Sequence, residues 1–193
     1  MTDITELQDQ LQQEARDLLS STSILEKLST LGRVTQTGSS VTGLMVYPDI
    51  DFAIQNDELD FDDAVQLIPD IISDLKAIAV KVADFRTESD PHAGYYIGFE
   101  VPHGNRMWHI DATVGPVGEI TTNPPELAEW IAEMSEGERV TILALKKQLI
   151  DAKRYVGARS QPPHTFRSSH LYEGVLKGGA KSITELEEYF TRS

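Results

Sequence analysis

A chain of 193 residues that is 40% hydrophobic has enough apolar material for one packed domain, or for a small domain with an appendage. With no cysteine, it excludes disulfides and thiolate metal sites, as expected of a protein from a reducing cytosol. A formal net charge of −14 and the lack of any basic stripe argue against a partner bound by neutralising many phosphates, so no long nucleic acid is expected.

The N-terminus, Met1-Thr-Asp-Ile-Thr-Glu, shows neither the basic region nor the apolar run of a signal peptide. No apolar stretch approaches the ~20 residues of a transmembrane helix. A soluble, cytoplasmic protein without a membrane partner is expected. In chain order, Ile4, Leu7, Leu11, Ala15 and Leu18 recur at helical spacing and predict a helix over 3–20. Ser23-x-x-Glu26 has the capping-box pattern, with Leu25, Leu28 and Leu31 continuing helically. Strands are expected at 33–37 and 49–55. Asp60 and Asp62 fit the N-cap and first turn of a helix whose stripe is Phe61, Val65, Ile68, Ile72 and Leu75, kinked near Pro69.

Alternation at Ile78, Val80 and Val82, then at Tyr95, Ile97, Phe99 and Val101, predicts two more strands, and 106–114 a third. The Pro-His-Gly-Asn turn joins the last two as an antiparallel hairpin. Beyond Asn123-Pro124-Pro125 the pattern is helical. Ser135-x-x-Glu138 and Ser182-x-x-Glu185 cap helices carrying Ile142, Leu145 and Leu149, and Ile183, Leu186 and Phe190. Gly178-Gly179 ends another helix, over about 168–177. The expected fold is α/β (α+β): a small mixed sheet with flanking helices over 1–120, followed by a helical bundle over 121–193.

The chemistry concentrates in LGRVTQTGSSVTGLMVYPDIDFAIQ, residues 31–55. In a strand, residues i and i+2 share a face, so Asp49 and Asp51 project together while Ile50 and Phe52 turn into the core. Adjacent carboxylates repel, and they suit a hard divalent cation such as Mg2+. Gly38, Ser39 and Ser40 just upstream can bring backbone N–H groups and hydroxyls to a phosphate. Spacing alone means little in so acidic a chain. It recurs at Glu58/Asp60, Asp60/Asp62, Glu88/Asp90, Glu136/Glu138 and Glu185/Glu187. Asp49/Asp51 stands apart through the apolar residue between, the apolar strand after, and the Gly-Ser turn before.

Gly38, Ser39, Asp49 and Asp51 together resemble the pattern of the nucleotidyltransferase superfamily, the polymerase-β-like fold shared with antibiotic nucleotidyltransferases. That pattern is an apolar residue, Gly, then Gly or Ser, a short helix, and a strand with Asp-x-Asp. A third carboxylate on a later strand of the sheet is matched by Asp111 in Arg106–Val114. The resemblance covers about 33–114. It implies nucleotidyl transfer: in-line displacement at the α-phosphorus of a nucleoside triphosphate, with ATP as the expected donor. Two Mg2+ ions about 3.5–4 Å apart would serve the attacking and leaving oxygens. Asp49 and Asp51 would bridge them, and Asp111 would hold the nucleophile-side ion or accept the acceptor's proton. Ser39 and Ser40 would hydrogen-bond the β- and γ-phosphates where Gly38 allows close approach.

Lys146, Lys147, Lys153, Arg154 and Arg159 cluster on and after one helix, and Lys153 is taken as the phosphate contact. Arg167-Ser168-Ser169 is a second place for ligand contact. His109 shares the Asp111 face, whereas His92, His103, His164 and His170 lack metal-ligand spacing. Gly174-x4-Gly179-Ala180-Lys181-Ser182 nearly spells a P-loop, but its lysine is displaced by one residue and helix precedes it. The expected acceptor, from the acidic charge and the appended helices, is a small-molecule hydroxyl. The alternatives are transfer of AMP to a protein side chain, or a non-catalytic, antitoxin-like regulatory partner that keeps the fold.

Overall fold

Alternating apolar residues build a five-stranded sheet. The computed structural model describes residues 3–58, 61–86, 94–116, 125–157 and 160–192. Among them are strands β1 (Arg33–Thr37), β2 (Asp49–Gln55), β3 (Ala79–Asp84), β4 (Tyr95–His103) and β5 (Arg106–Gly115). The helices are α1 (Ile4–Ser20), α2 (Ile24–Ser29), α3 (Ser39–Thr42), α4 (Phe61–Leu75), α5 (Pro125–Glu133), α6 (Glu136–Asp151), α7 (Ser168–Leu176) and α8 (Ile183–Arg192). The chain forms two compact units: Asp9–Thr122, and Asn123–Ser193 together with Met1–Gln8.

In the first unit the strand order is β1-β2-β5-β4-β3. The β2–β5 pair is parallel and the other pairs are antiparallel. One face is the core. Ile50, Phe52 and Ile54 of β2, Trp108, Ile110, Ala112 and Val114 of β5, and Tyr95, Ile97, Phe99 and Val101 of β4 are all buried there. Each large apolar side chain so buried contributes about 1.5–3 kcal/mol. The opposite face is polar, and one row across it reads Thr37, Asp51, Asp111, Gly98, Lys81 from β1 to β3. The β4–β5 hairpin turns at Gly104-Asn105, with Gly104 at φ 58. A positive φ at the first central residue is the geometry of a type II′ turn, which favours glycine there.

Two local expectations are corrected. Ser23 makes no cap bond to α2. Its N–H and hydroxyl both donate to Asp74 Oδ2 of α4, each at 2.8 Å, and its backbone, φ −97 and ψ 22, lacks the extended conformation usual at an N-cap. In α4 the buried stripe is Ala64, Ile68, Ile71 and Leu75, while Val65 is exposed. So many apolar residues line this helix that periodicity alone could not choose among neighbouring stripes. The helix continues through Pro69. Asp60 and Arg159 lie outside the described residues.

Burial would raise the Asp74 pKa, but the hydrogen bonds from Ser23 and Lys27 outweigh it and hold the carboxyl below its usual 3.8. A depressed folded-state value means this stabilisation is present above the unfolded pKa and is lost as pH falls through the folded one. Ser23→Ala is therefore expected to cost about 1 kcal/mol at neutral pH. Urea denaturation of both proteins should show that difference narrowing once Asp74 is protonated.

In the helical unit, Ser135 forms the full capping box with Glu138 at the start of α6, and Ser182 Oγ accepts from Glu185 N–H at 3.2 Å at the start of α8. Ile142, Leu145 and Leu149 of α6 and Leu186 of α8 are buried as expected. Gly174, the first glycine of the near P-loop, lies inside α7, where a Cβ would meet Leu186 Cδ1 at 2.1 Å. Gly179, at φ 69, closes that helix. Its N–H reaches Val175 O, and Ala180 N–H reaches Gly174 O, both at 3.0 Å. This is a left-handed glycine C-cap of the αL type rather than a phosphate loop.

Candidate active site

The Gly-Ser turn between β1 and β2 is shaped around Asp51. Gly38 has φ 70 and ψ −159, a combination open in practice only to glycine. A Cβ there would lie 1.9 Å from Asp51 Oδ2, so the missing side chain is the space the carboxylate occupies. The helix that follows, α3, has only four residues. Ser40 is committed to the turn, its hydroxyl accepting from Gln36 Nε2 at 3.0 Å and donating to Thr37 O at 3.2 Å. Ser39 is also buried, and its carbonyl accepts from Leu44 N–H.

Asp49 and Asp51 project from the polar face of β2, and the parallel ladder places Asp51 beside Asp111 and Asp49 beside His109. One carboxylate oxygen from each of Asp49, Asp51 and Asp111 lies within 4.8 Å of the others. Among the described residues this is the one cluster of its kind. Like charges near 4 Å repel by roughly 4 kcal/mol per pair at a surface-like dielectric. A divalent cation removes that repulsion, and an all-oxygen anionic donor set is the chemistry Mg2+ takes. The residues present therefore fit the ion, and the glycine cradle at Gly38 keeps Asp51 within the cluster.

Burial raises the pKa of Asp111, opposed by a hydrogen bond from Tyr96 and by the charges of His109 and Lys81. Tyr96 donates its hydroxyl to Asp111 Oδ1 at 2.8 Å. Its own pKa is pushed well above the usual phenol range, first by burial, then by that bond and the charges of Asp111, Asp49 and Asp51, so the hydroxyl keeps its proton. Sequence reading missed Tyr96. It belongs to an alternating strand, and only pairing with β5 brings it to the cluster. A groove of about 420 Å³ beside the cluster is lined by Lys81, Tyr96, Gly98, Glu100, His109 and Asp111.

Within the helical unit, Lys153 stands exposed in the left-handed region, φ 56, just after α6. Lys146 of the same cluster is 1% exposed, its ammonium 5.5 Å from the Tyr155 ring. Tyr155 and Ser168 share a short hydroxyl–hydroxyl hydrogen bond. The Ser169 hydroxyl is buried and makes no hydrogen bond. Lys147 pairs with Asp151, and Arg154 with Glu187, as ordinary surface ion pairs. No helix among the described residues is long and apolar enough to cross a membrane.

No protein-family model matches this sequence, and no curated protein matches it. Solved structures do resemble it. The poly(U) polymerase Cid1, as a mutant bound to MgATP, superposes with a TM-score of 0.61 at 15% identity over 86% of this chain and 50% of that one. A cytoplasmic RNA terminal U-transferase gives 0.55 at 15% over 87% and 46%. The polymerase core of TRAMP, an RNA surveillance complex, gives 0.53 at 15% over 95% and 53%. This chain spans about half the length of each. The five-stranded mixed sheet, its helices and these superpositions together establish that the chain has the polymerase-β-like nucleotidyltransferase fold.

Proposed function

We propose that this protein is a metal-dependent nucleotidyltransferase that moves a nucleoside monophosphate from a nucleoside triphosphate, with ATP the expected donor, to an acceptor hydroxyl. The observation that carries this reading is the meeting of Asp49, Asp51 and Asp111 within 4.8 Å on one face of a sheet with that fold. These three carboxylates would hold two Mg2+ ions, which when bound stabilise the charge on the attacking and leaving oxygens of an in-line displacement. Gly38 and Ser39 would approach the triphosphate through the backbone and one hydroxyl. Ser40, whose hydroxyl already serves Gln36 and Thr37, would act mainly by holding the turn. The groove beside Asp111 would receive the acceptor.

Two acceptor classes follow from different observations. The net charge of −14 favours a small-molecule hydroxyl, since a long polyanion gains little from an acidic surface. The structural neighbours supply no support for that branch, and an RNA hydroxyl is the reading they favour, because a poly(U) polymerase and an RNA terminal U-transferase are among them. The test is transfer of label from each α-labelled nucleoside triphosphate, with and without Mg2+, to short RNA, to a panel of small hydroxyl compounds and to protein. Mg2+-dependent label on RNA or on a small molecule supports the proposal and names the acceptor. Label on a polypeptide would make the protein an AMP-transferase of side chains, and no transfer to any acceptor would favour a non-catalytic regulatory partner.

A further inference from the structure

The position directly across the antiparallel β4–β5 ladder from Asp111 is Gly98, which has no side chain to place there. Tyr96 sits two residues away on the same face of β4, paired with Thr113, and is thus the diagonal neighbour of Asp111. Diagonal neighbours in a sheet are about 7–8 Å apart, within reach of an aromatic side chain but not of a short one. Tyr96 leans across the bare glycine and donates its hydroxyl to Asp111 Oδ1 at 2.8 Å. A Cβ built on Gly98 would lie 2.3 Å from the Tyr96 hydroxyl and 2.9 Å from Asp111 Oδ1, inside the space that this hydrogen bond fills.

The ring is itself held from the far side. Lys81, the β3 partner of Gly98, places its ammonium 5.7 Å from the Tyr96 ring, and Phe85 packs at 6.4 Å between centroids. A short carboxylate on an open strand face has several rotamers available, and a ligand that wanders among them binds an ion poorly. A hydroxyl anchored by a packed ring removes that freedom at one oxygen and leaves the other oxygen of the carboxylate outside the pair.

We propose that Tyr96 is a positioning residue, with Gly98 as its obligatory gap: together they set the Asp111 carboxylate for the divalent ions. This rests on the metal-centre reading of Asp49, Asp51 and Asp111, and the test separates the two. Mn2+ binding is measured by electron paramagnetic resonance on the intact chain for the wild type, Tyr96→Phe, Gly98→Ala, the double variant and Asp51→Asn, alongside melting temperature. Outer partners of metal ligands typically change affinity by about 10–100-fold. Tyr96→Phe is expected to weaken Mn2+ binding at least about tenfold with little change in melting temperature. Gly98→Ala should weaken it similarly by pushing the ring end and the carboxylate apart, and keeps the idea testable should the first variant fold badly. If both act through one bond, the double variant will be no weaker than the worse single variant. Tyr96→Phe and Gly98→Ala binding Mn2+ like the wild type, while Asp51→Asn does not, would overturn this inference alone. A wild type that binds no Mn2+, or Asp51→Asn binding as well as wild type, would overturn the metal-centre reading with it.

Discussion

Asp51→Asn is expected to reduce nucleotidyl transfer by on the order of 10³-fold or more while leaving the fold intact. Asp51 is the central member of the cluster. It is the i+2 neighbour of Asp49 on β2, the ladder partner of Asp111 on β5, and the carboxylate packed against Gly38. Asparagine keeps the shape and removes the charge, so the packing against Gly38 survives while the anionic donor set loses one of three members. Without metal, the removal also relieves repulsion between carboxylates within 4.8 Å of one another, so the melting temperature should not fall. The measurement is steady-state transfer of labelled nucleotide, paired with thermal melts with and without Mg2+. The wild type should gain stability from Mg2+ and nucleotide together, and the variant should not. Undiminished turnover in the variant would end the metal role.

Gly38→Ala should lose both stability and activity, for separable reasons. The backbone conformation, φ 70 with ψ −159, costs a residue bearing a Cβ about 1–3 kcal/mol, or several degrees of melting temperature in a chain of this size. The new methyl would also meet Asp51 Oδ2 at 1.9 Å and push the carboxylate out of the cluster. Gly104→Ala is the matched control. Gly104 is also at positive φ, 58, but a Cβ there meets nothing within 4 Å. It is expected to lower the melting temperature while leaving Mn2+ binding and transfer near wild type. If Gly38→Ala loses stability yet keeps full transfer, the cradle has no part in holding Asp51.

Charge sets the direction of the acceptor question. An acidic chain gains little from binding a long polyanion, whereas a poly(U) polymerase and an RNA terminal U-transferase are among the structures it superposes on. Salt dependence distinguishes the classes. Transfer to an RNA end held by phosphate contacts should weaken steeply with added salt, and transfer to a neutral small hydroxyl compound should not.

What the sequence by itself determined is local. Period-two alternation sends Ile50 and Phe52 into the core and puts Asp49 and Asp51 on one face, because side-chain direction in a strand depends only on the strand. The same holds for the β4–β5 hairpin at Gly104-Asn105, the Ser135 capping box and the glycine C-cap of α7, each closed by contacts a few residues apart. The tertiary structure decided what depends on distant segments meeting. Ser23 left its own helix for Asp74, 51 residues away, and the buried stripe of α4 settled on Ala64, Ile68, Ile71 and Leu75. Lys146, one of the cations clustered on α6, lies in the interior, which its charge alone does not foretell. Above all, the parallel β2–β5 pairing set Asp111 beside Asp51, and the antiparallel β4–β5 pairing carried Tyr96 over Gly98 to hold it. Periodicity encodes which face a residue takes but not which strand lies next to it, since the neighbour is chosen by burial and register across the whole sheet.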